Sequence, residues 1–277
     1  MQSDKMQEKK NQEESVKKIL DQIKYVIVVL SGKGGVGKST VSTNLALTLA
    51  QQGNKVGLLD ADMHGPTIPT MLGLTNMRIT HSTDGLKPVK VTENLQVVSM
   101  GFLLENQDDA IIWRGPLKMA AIRQLLGDFN WGKLDYLIID LPPGTGDEPL
   151  SIAQIIANIT GAIIVTTPQD VALVSVRKSI TFVNKLKIPV LGVIENMSGF
   201  ICPHCKNKLN IFKAGGGKKA ADDFNVPFLG SIPLDPTIVE KGDEGTITMM
   251  KDTVLTISFA TIADNVKKSI IEKEVKT

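Results

Sequence analysis

Leu30-Ser31-Gly32-Lys33-Gly34-Gly35-Val36-Gly37-Lys38-Ser39-Thr40 is the stretch on which the fold turns. The six residues that lead into it, Tyr25-Val26-Ile27-Val28-Val29-Leu30, form an apolar, β-branched run that predicts a buried strand. Residues 41–52 read as a helix that stops at Gly53. Strand, glycine loop and helix in that order make the spacing G-x-x-x-x-G-K-[ST] a phosphate site rather than a chance match. Glycines let backbone N–H groups turn inward with no Cβ in the way, and the helix N-terminus adds its partial positive charge. Lys38 is then expected to reach the outer phosphates and Ser39 to hold Mg²⁺, with Gly32, Gly34, Gly35, Val36, Gly37 and Thr40 completing the cradle.

Two apolar runs downstream end in a carboxylate. Residues 55–60 close on Asp60 and continue as Ala61-Asp62, and residues 134–140 close on Asp140. In an open α/β sheet ligands bind beyond the carboxyl ends of the strands, so Asp60, Asp62 and Asp140 are expected at the same sheet edge as the glycine loop. Asp140 has the placement of a carboxylate that orients Mg²⁺ and its waters. Further strands are expected at 161–167, 189–195 and 228–232, with helices over 113–126, 170–187 and 254–273. Gly215-Gly216-Gly217-Lys218 lacks the spacing of a second phosphate loop and reads as a helix start. This rhythm predicts an α/β fold, a mostly parallel twisted sheet with helices on both faces. Residues 75–110 are least legible, with a strand expected near 95–100 and a polar excursion at 105–109. Residues 1–20, rich in Lys, Gln and Glu, read as a flexible tail leading into a short helix, and 21–277 as one domain.

Lys+Arg 31 against Asp+Glu 29 leaves a net charge of only +2, with no basic stripe of the kind a nucleic-acid backbone needs. No apolar run is long enough to span a bilayer and the N-terminus is charged, so a cytoplasmic protein acting on neither nucleic acid nor membrane is expected. The two cysteines of the chain, Cys202 and Cys205, sit three apart. Such spacing favours a shared metal or redox role over two buried structural thiols.

Lys33, directly after the first glycine, gives Gly-Lys-Gly-Gly-Val-Gly-Lys-Ser-Thr, which resembles the deviant phosphate loop of the nitrogenase-iron-protein and MinD-like ATPases. With Asp60-Ala61-Asp62, Trp113-Arg114-Gly115-Pro116, Asp140-Leu141-Pro142-Pro143-Gly144-Thr145-Gly146-Asp147, Asn196-Met197-Ser198 and Cys202-Pro203-His204-Cys205 in order, the chain resembles the Mrp (ApbC-like) iron–sulfur cluster carrier ATPases over about residues 20–270. That resemblance implies a homodimer in which Lys33 reaches the partner's nucleotide. It further implies that Asp62 positions the attacking water, that Asp60 lies near the Mg²⁺ shell and that Asn196 reads adenine. The loop over 141–147 would sense the terminal phosphate.

A cubane cluster takes four thiolates and a closed structural zinc site four ligands, whereas one chain supplies two. A symmetric dimer carrying Cys202 and Cys205 from each chain would complete either. The expected function is therefore an ATP-dependent carrier that takes a bridging cluster, 4Fe-4S in type, from an assembly scaffold and passes it to apo iron–sulfur proteins. Three readings stay open beside it: a MinD- or ParA-like switch, a zinc-bridged dimer built on the same cysteines, and a thiol redox pair. A membrane-binding switch would need an amphipathic C-terminal helix, for which Ile257, Ala260, Ala263, Val266, Ile270 and Ile271 are candidates.

Overall fold

The computed structural model describes residues 2–63, 65–82, 85–103, 115–156, 158–202, 204–205, 207–249 and 254–275. Strand β1 (Ile23–Leu30) is followed by helix α2 (Lys38–Gln51) and strand β2 (Val56–Asp60). A short turn of helix, α3 (Ile68–Met71), leads to the hairpin β3 (Thr80–Ser82) and β4 (Gly85–Lys87), then to β5 (Val89–Lys90) and β6 (Leu95–Ser99). Next come α4 (Gly115–Gly127), β7 (Leu134–Asp140), α5 (Asp147–Ile155), β8 (Gly161–Thr166), α6 (Asp170–Lys185) and β9 (Val190–Glu195). A second hairpin, β10 (Phe200–Ile201) with β11 (Lys208–Leu209), precedes α7 (Gly216–Asp223), β12 (Phe228–Ser231), α8 (Pro236–Asp243) and α9 (Val254–Glu274).

Eight strands form one sheet in the order β12-β9-β8-β1-β7-β2-β6-β5, parallel throughout except for the antiparallel edge strand β5. Because β1 lies between β8 and β7, the chain leaves it toward one half of the sheet and returns later to build the other. That reversal opens a crevice at the carboxyl end of β1, where such sheets take their ligands. β1 is apolar on both faces because both are covered. Its side chains alternate between two layers: Ile27 and Val29 pack with Val41, Leu45 and Leu49 of α2 and Phe259 and Ile262 of α9. Val26, Val28 and Leu30 pack on the other face with Ile122 and Leu125 of α4 and Val176 and Ile180 of α6.

Two segments differ from expectation, while the closing helix expected over 254–273 forms as α9. The segment expected to be a flexible tail is helical from its second residue: α1 (Gln2–Leu20) is one helix, and Val16 and Leu20 are buried in the layer that holds α4. Ser15 Oγ donates to the Gly127 carbonyl at 2.7 Å, so a few apolar residues on one helical face suffice to dock an otherwise charged segment. α5 starts on Asp147, the last residue of the loop expected over 141–147, and runs through residues where no element is expected, its first turn carrying Asp147 and Glu148 toward the positive end of the helix dipole. α9 turns Leu255, Phe259, Ile262, Ala263, Val266 and Ile270 into the core, leaving Ile257 and Ile271 outward, so the C-terminal apolar stripe is a packing face. No helix among the described residues is long and apolar enough to cross a membrane. The excursion at 105–109, together with Trp113 and Arg114, lies outside the described residues.

Candidate functional site

The loop between β1 and α2 leaves the sheet at its central strand. Gly37 caps α2 with φ 77°, a left-handed conformation that favours glycine, and a Cβ there would come within 2.3 Å of Asn196 Nδ2. Gly32 is closely packed on the other side, where a Cβ would stand 2.4 Å from the Ser175 carbonyl oxygen of α6. Gly34 and Gly35, by contrast, are exposed and face open space. The loop is thus clamped at both ends and open in its middle, with the N-terminus of α2 directly behind: a shape suited to phosphate oxygens. We expect Gly37→Ala to fail on both counts, since a left-handed alanine costs about 1–2 kcal/mol. Displacing Asn196 also breaks its bond to the loop, for about 1 kcal/mol more. Urea denaturation should register a loss of that size together with weakened nucleotide binding, whereas native-like values for both would disprove the clamp.

Beneath the loop lies a buried polar cluster. Parallel pairing of β2 and β7 sets Asp60 beside Asp140, and neither carboxylate is reached by solvent. Lys38 Nζ donates to Asp140 Oδ2 at 2.6 Å, Ser39 Oγ to the same oxygen at 2.6 Å, and Ser42 Oγ to Oδ1 at 2.6 Å. Asp60 accepts the Ser99 hydroxyl at 3.0 Å and the Asp62 amide at 3.2 Å. Burial, and next the neighbouring Asp140 charge, push the Asp60 carboxyl up to about 8, against the opposing pull of Lys38 and of its two hydrogen bonds. The Asp60 and Asp140 carboxyls and the Ser39 hydroxyl offer hard oxygen ligands of the kind a divalent magnesium ion takes, while the Lys38 ammonium suits the oxygens of a polyphosphate beside it. Asp62, half-buried, stands one step further out on the loop that leaves β2. Lys33 is also half-buried, and its carbonyl accepts Ser31 Oγ at 2.9 Å. The loop after β7 is tied to the phosphate loop through Gly144 N–H to the Ser31 carbonyl, 2.8 Å.

The third component grows from the end of β9. Asn196 donates Nδ2 to the Val36 carbonyl at 2.9 Å and its amide to Thr166 at 2.7 Å. The chain turns through Met197, at φ 57°, and runs into the β10–β11 hairpin. Cys202 follows β10 directly, its amide donating to the Asn207 carbonyl at 3.0 Å, and Cys205 lies in the turn. Cys202 is partly exposed, Cys205 exposed, and neither is in a disulfide. Ile201, Leu209 and Ile211 stand exposed around them. Among the described residues no three His, Cys, Asp or Glu side chains of this chain gather into a metal-binding group.

Lys38, Ser39, Asp60 and Asp140 are therefore gathered in one cluster, with Asn196 joined to the same loop, while Cys202 and Cys205 form a separate element rooted beside Asn196. Sequence reasoning missed Ser42, Ser99 and Glu195. Ser42 is legible in retrospect, because a residue four positions after Lys38 shares its helical face. Glu195 is the last residue of an apolar strand, as Asp60 and Asp140 are.

A mostly parallel sheet with a glycine loop at its switch point, a lysine at the start of the following helix and two strand-end carboxylates defines a P-loop NTPase. MinD from Pyrococcus horikoshii has this fold, with a TM-score of 0.63 at 24% identity over 88% of this chain and 96% of its own. Residues 22–267 match the family described as ParA, NUBPL iron-transfer P-loop NTPase, and the chain belongs to that family. It is 49% identical over 262 residues to the iron-sulfur cluster carrier protein of Methanocaldococcus jannaschii, covering 95% of this chain and 89% of the relative. It is 51% identical over 259 residues to the cytosolic Fe-S cluster assembly factor CFD1 of Kluyveromyces lactis, covering 89% and 92%. A nucleotide-binding protein from Archaeoglobus fulgidus, solved in complex with ADP, superposes with a TM-score of 0.79 at 41% identity, covering 89% of this chain and 96% of that one.

Proposed function

We propose that this protein is an ATP-dependent iron–sulfur cluster carrier that works as a homodimer. The observation that carries the reading is a juxtaposition: the strand end that bonds the phosphate loop through Asn196 is also the root of a hairpin presenting two thiols three residues apart. Gly32 to Thr40 cradle the phosphates of ATP, Lys38 neutralises the outer ones and Asn196 reads the adenine. Ser39, Asp60 and Asp140 would hold Mg²⁺, which supplies further neutralisation of the phosphate oxygens. Asp62 orients the attacking water, and Lys33 stabilises charge on the partner's nucleotide as an arginine finger does. Cys202 and Cys205 of each subunit together give the four thiolates of a bridging cubane, which passes from an assembly scaffold to apo-proteins in the cytoplasm.

The relatives named as cluster carrier and as cluster assembly factor support the cargo, and the ADP complex of the Archaeoglobus protein supports the nucleotide. Metal and sulfide analysis of the full chain purified without oxygen tests the reading. About four iron and four sulfide per pair of chains are expected. Zinc without sulfide would instead establish a structural, zinc-bridged dimer.

A further inference from the structure

Glu195 is 1% exposed, ends β9, and is absorbed by nothing in the nucleotide or cluster chemistry above. Its carboxylate is nonetheless fully engaged. Ser198 Oγ donates to Oε1, as does the Gly215 amide at 2.9 Å, and the Gly217 amide donates to Oε2. Gly217 packs so closely that a Cβ there would lie 3.0 Å from Glu195 Cβ. Ser198 stands just before the β10–β11 hairpin and Gly215 and Gly217 just after it, at the N-terminus of α7. One buried carboxylate therefore closes the base of the excursion that carries both cysteines. Its oxygens accept from backbone amides at the N-terminus of α7, donors that the helix's own carbonyls leave unpaired.

The adjacent residue is Asn196, whose side chain bonds Val36 in the phosphate loop. Consecutive residues at a strand end point to opposite sides. One peptide thus carries a contact to the nucleotide loop on one side and the buckle of the cysteine hairpin on the other. We propose that Glu195 is a positioning residue that couples the nucleotide site to the cysteines. A shift of the phosphate loop moves Asn196, the 195–196 peptide turns with it, and the carboxylate redistributes its bonds among Ser198, Gly215 and Gly217, re-aiming the hairpin. This inference rests on the proposed nucleotide site but not on the identity of the metal.

The chain has only two cysteines, both in this hairpin, so a thiol reagent reads the hairpin alone. The full chain, stripped with chelator and reduced, is reacted with a chromogenic disulfide in the absence and presence of Mg²⁺ with a hydrolysis-resistant ATP analogue. Nucleotide binding is measured in parallel by calorimetry. In the native chain the nucleotide should change the thiol reaction rate by about fivefold or more. Glu195→Gln keeps the shape but replaces a charged acceptor with an amide. It should bind the analogue within about threefold of the native affinity and show a rate ratio near one. A native ratio near one, or an undiminished ratio in Glu195→Gln, overturns the proposal. If Glu195→Gln does not fold or does not bind nucleotide, Ser198→Ala decides: it removes one of three bonds and must reduce the ratio, and an unchanged ratio overturns the coupling. A native chain that binds no analogue overturns the nucleotide site and the coupling together, whereas binding with no thiol response overturns the coupling alone.

Discussion

Lys38→Ala should both weaken nucleotide binding and destabilise the fold, two losses of separate origin. Its side chain is 6% exposed, and its ammonium sits 2.6 Å from a carboxylate that is wholly buried, with Asp60 on the next strand. Removing one partner of such a pair leaves an uncompensated buried charge, for about 3–5 kcal/mol. Loss of the charge-assisted contact to phosphate costs about 2 kcal/mol in binding, or about thirtyfold in affinity. Coupling to Asp140→Asn separates the two effects. Neutralising the orphaned carboxylate should restore part of the stability of Lys38→Ala and none of its nucleotide affinity, a non-additivity expected of residues in direct contact. Denaturation curves of the four members of the cycle, paired with calorimetric titration of nucleotide, read both quantities. A Lys38→Ala chain that is as stable as native and binds nucleotide within threefold would remove Lys38 from the site.

The parts of this site that could be read from sequence are those where one residue type has one use. A continuous apolar run such as 25–30 has to be a strand covered on both faces, and its glycine-rich sequel has to bring backbone N–H groups together. Runs ending in Asp60 and Asp140 were legible for the same reason, since a carboxylate at a strand end faces the ligand edge. What could not be read depends on neighbours distant in sequence. α1 looks disordered by composition, and only α4, more than a hundred residues away, gives Val16 and Leu20 somewhere to be buried. α5 begins at Asp147-Glu148-Pro149 directly after a glycine- and proline-rich loop, so its start is masked by the turn signals before it. α8 was likewise not anticipated, although Asp235 is a clear cap, its Oδ1 accepting the Thr237 amide at 2.9 Å. Glu195 was passed over because two of its three partners are glycine amides some twenty residues on, and backbone donors have no signature in sequence.

Cys202→Ala should leave a folded ATPase with no cluster. The cysteine is partly exposed, and its backbone bond to the Asn207 carbonyl survives the substitution, so the chain should still fold. Its loss is felt twice in a symmetric dimer, because each subunit then offers one thiolate and the pair offers two. Two thiolates do not hold a cubane against chelation, so iron bound after anaerobic reconstitution should fall from about two per chain to near zero. ATP hydrolysis should stay within about twofold of that of native protein stripped of metal, because Lys38, Asp60, Asp62 and Asp140 are untouched. Stripped native protein is the fair reference: if Glu195 couples the sites, cluster occupancy must alter nucleotide affinity by the same factor by which nucleotide alters cluster affinity. Sedimentation of the two forms adds an independent reading, since a dimer held by its bridging metal should dissociate in the variant as it does in the stripped protein. Should the variant retain a stable cluster, Cys202 is not a ligand and the bridging site fails. Should it lose zinc while native protein carries no sulfide, the same two cysteines join the subunits and the cargo lies elsewhere.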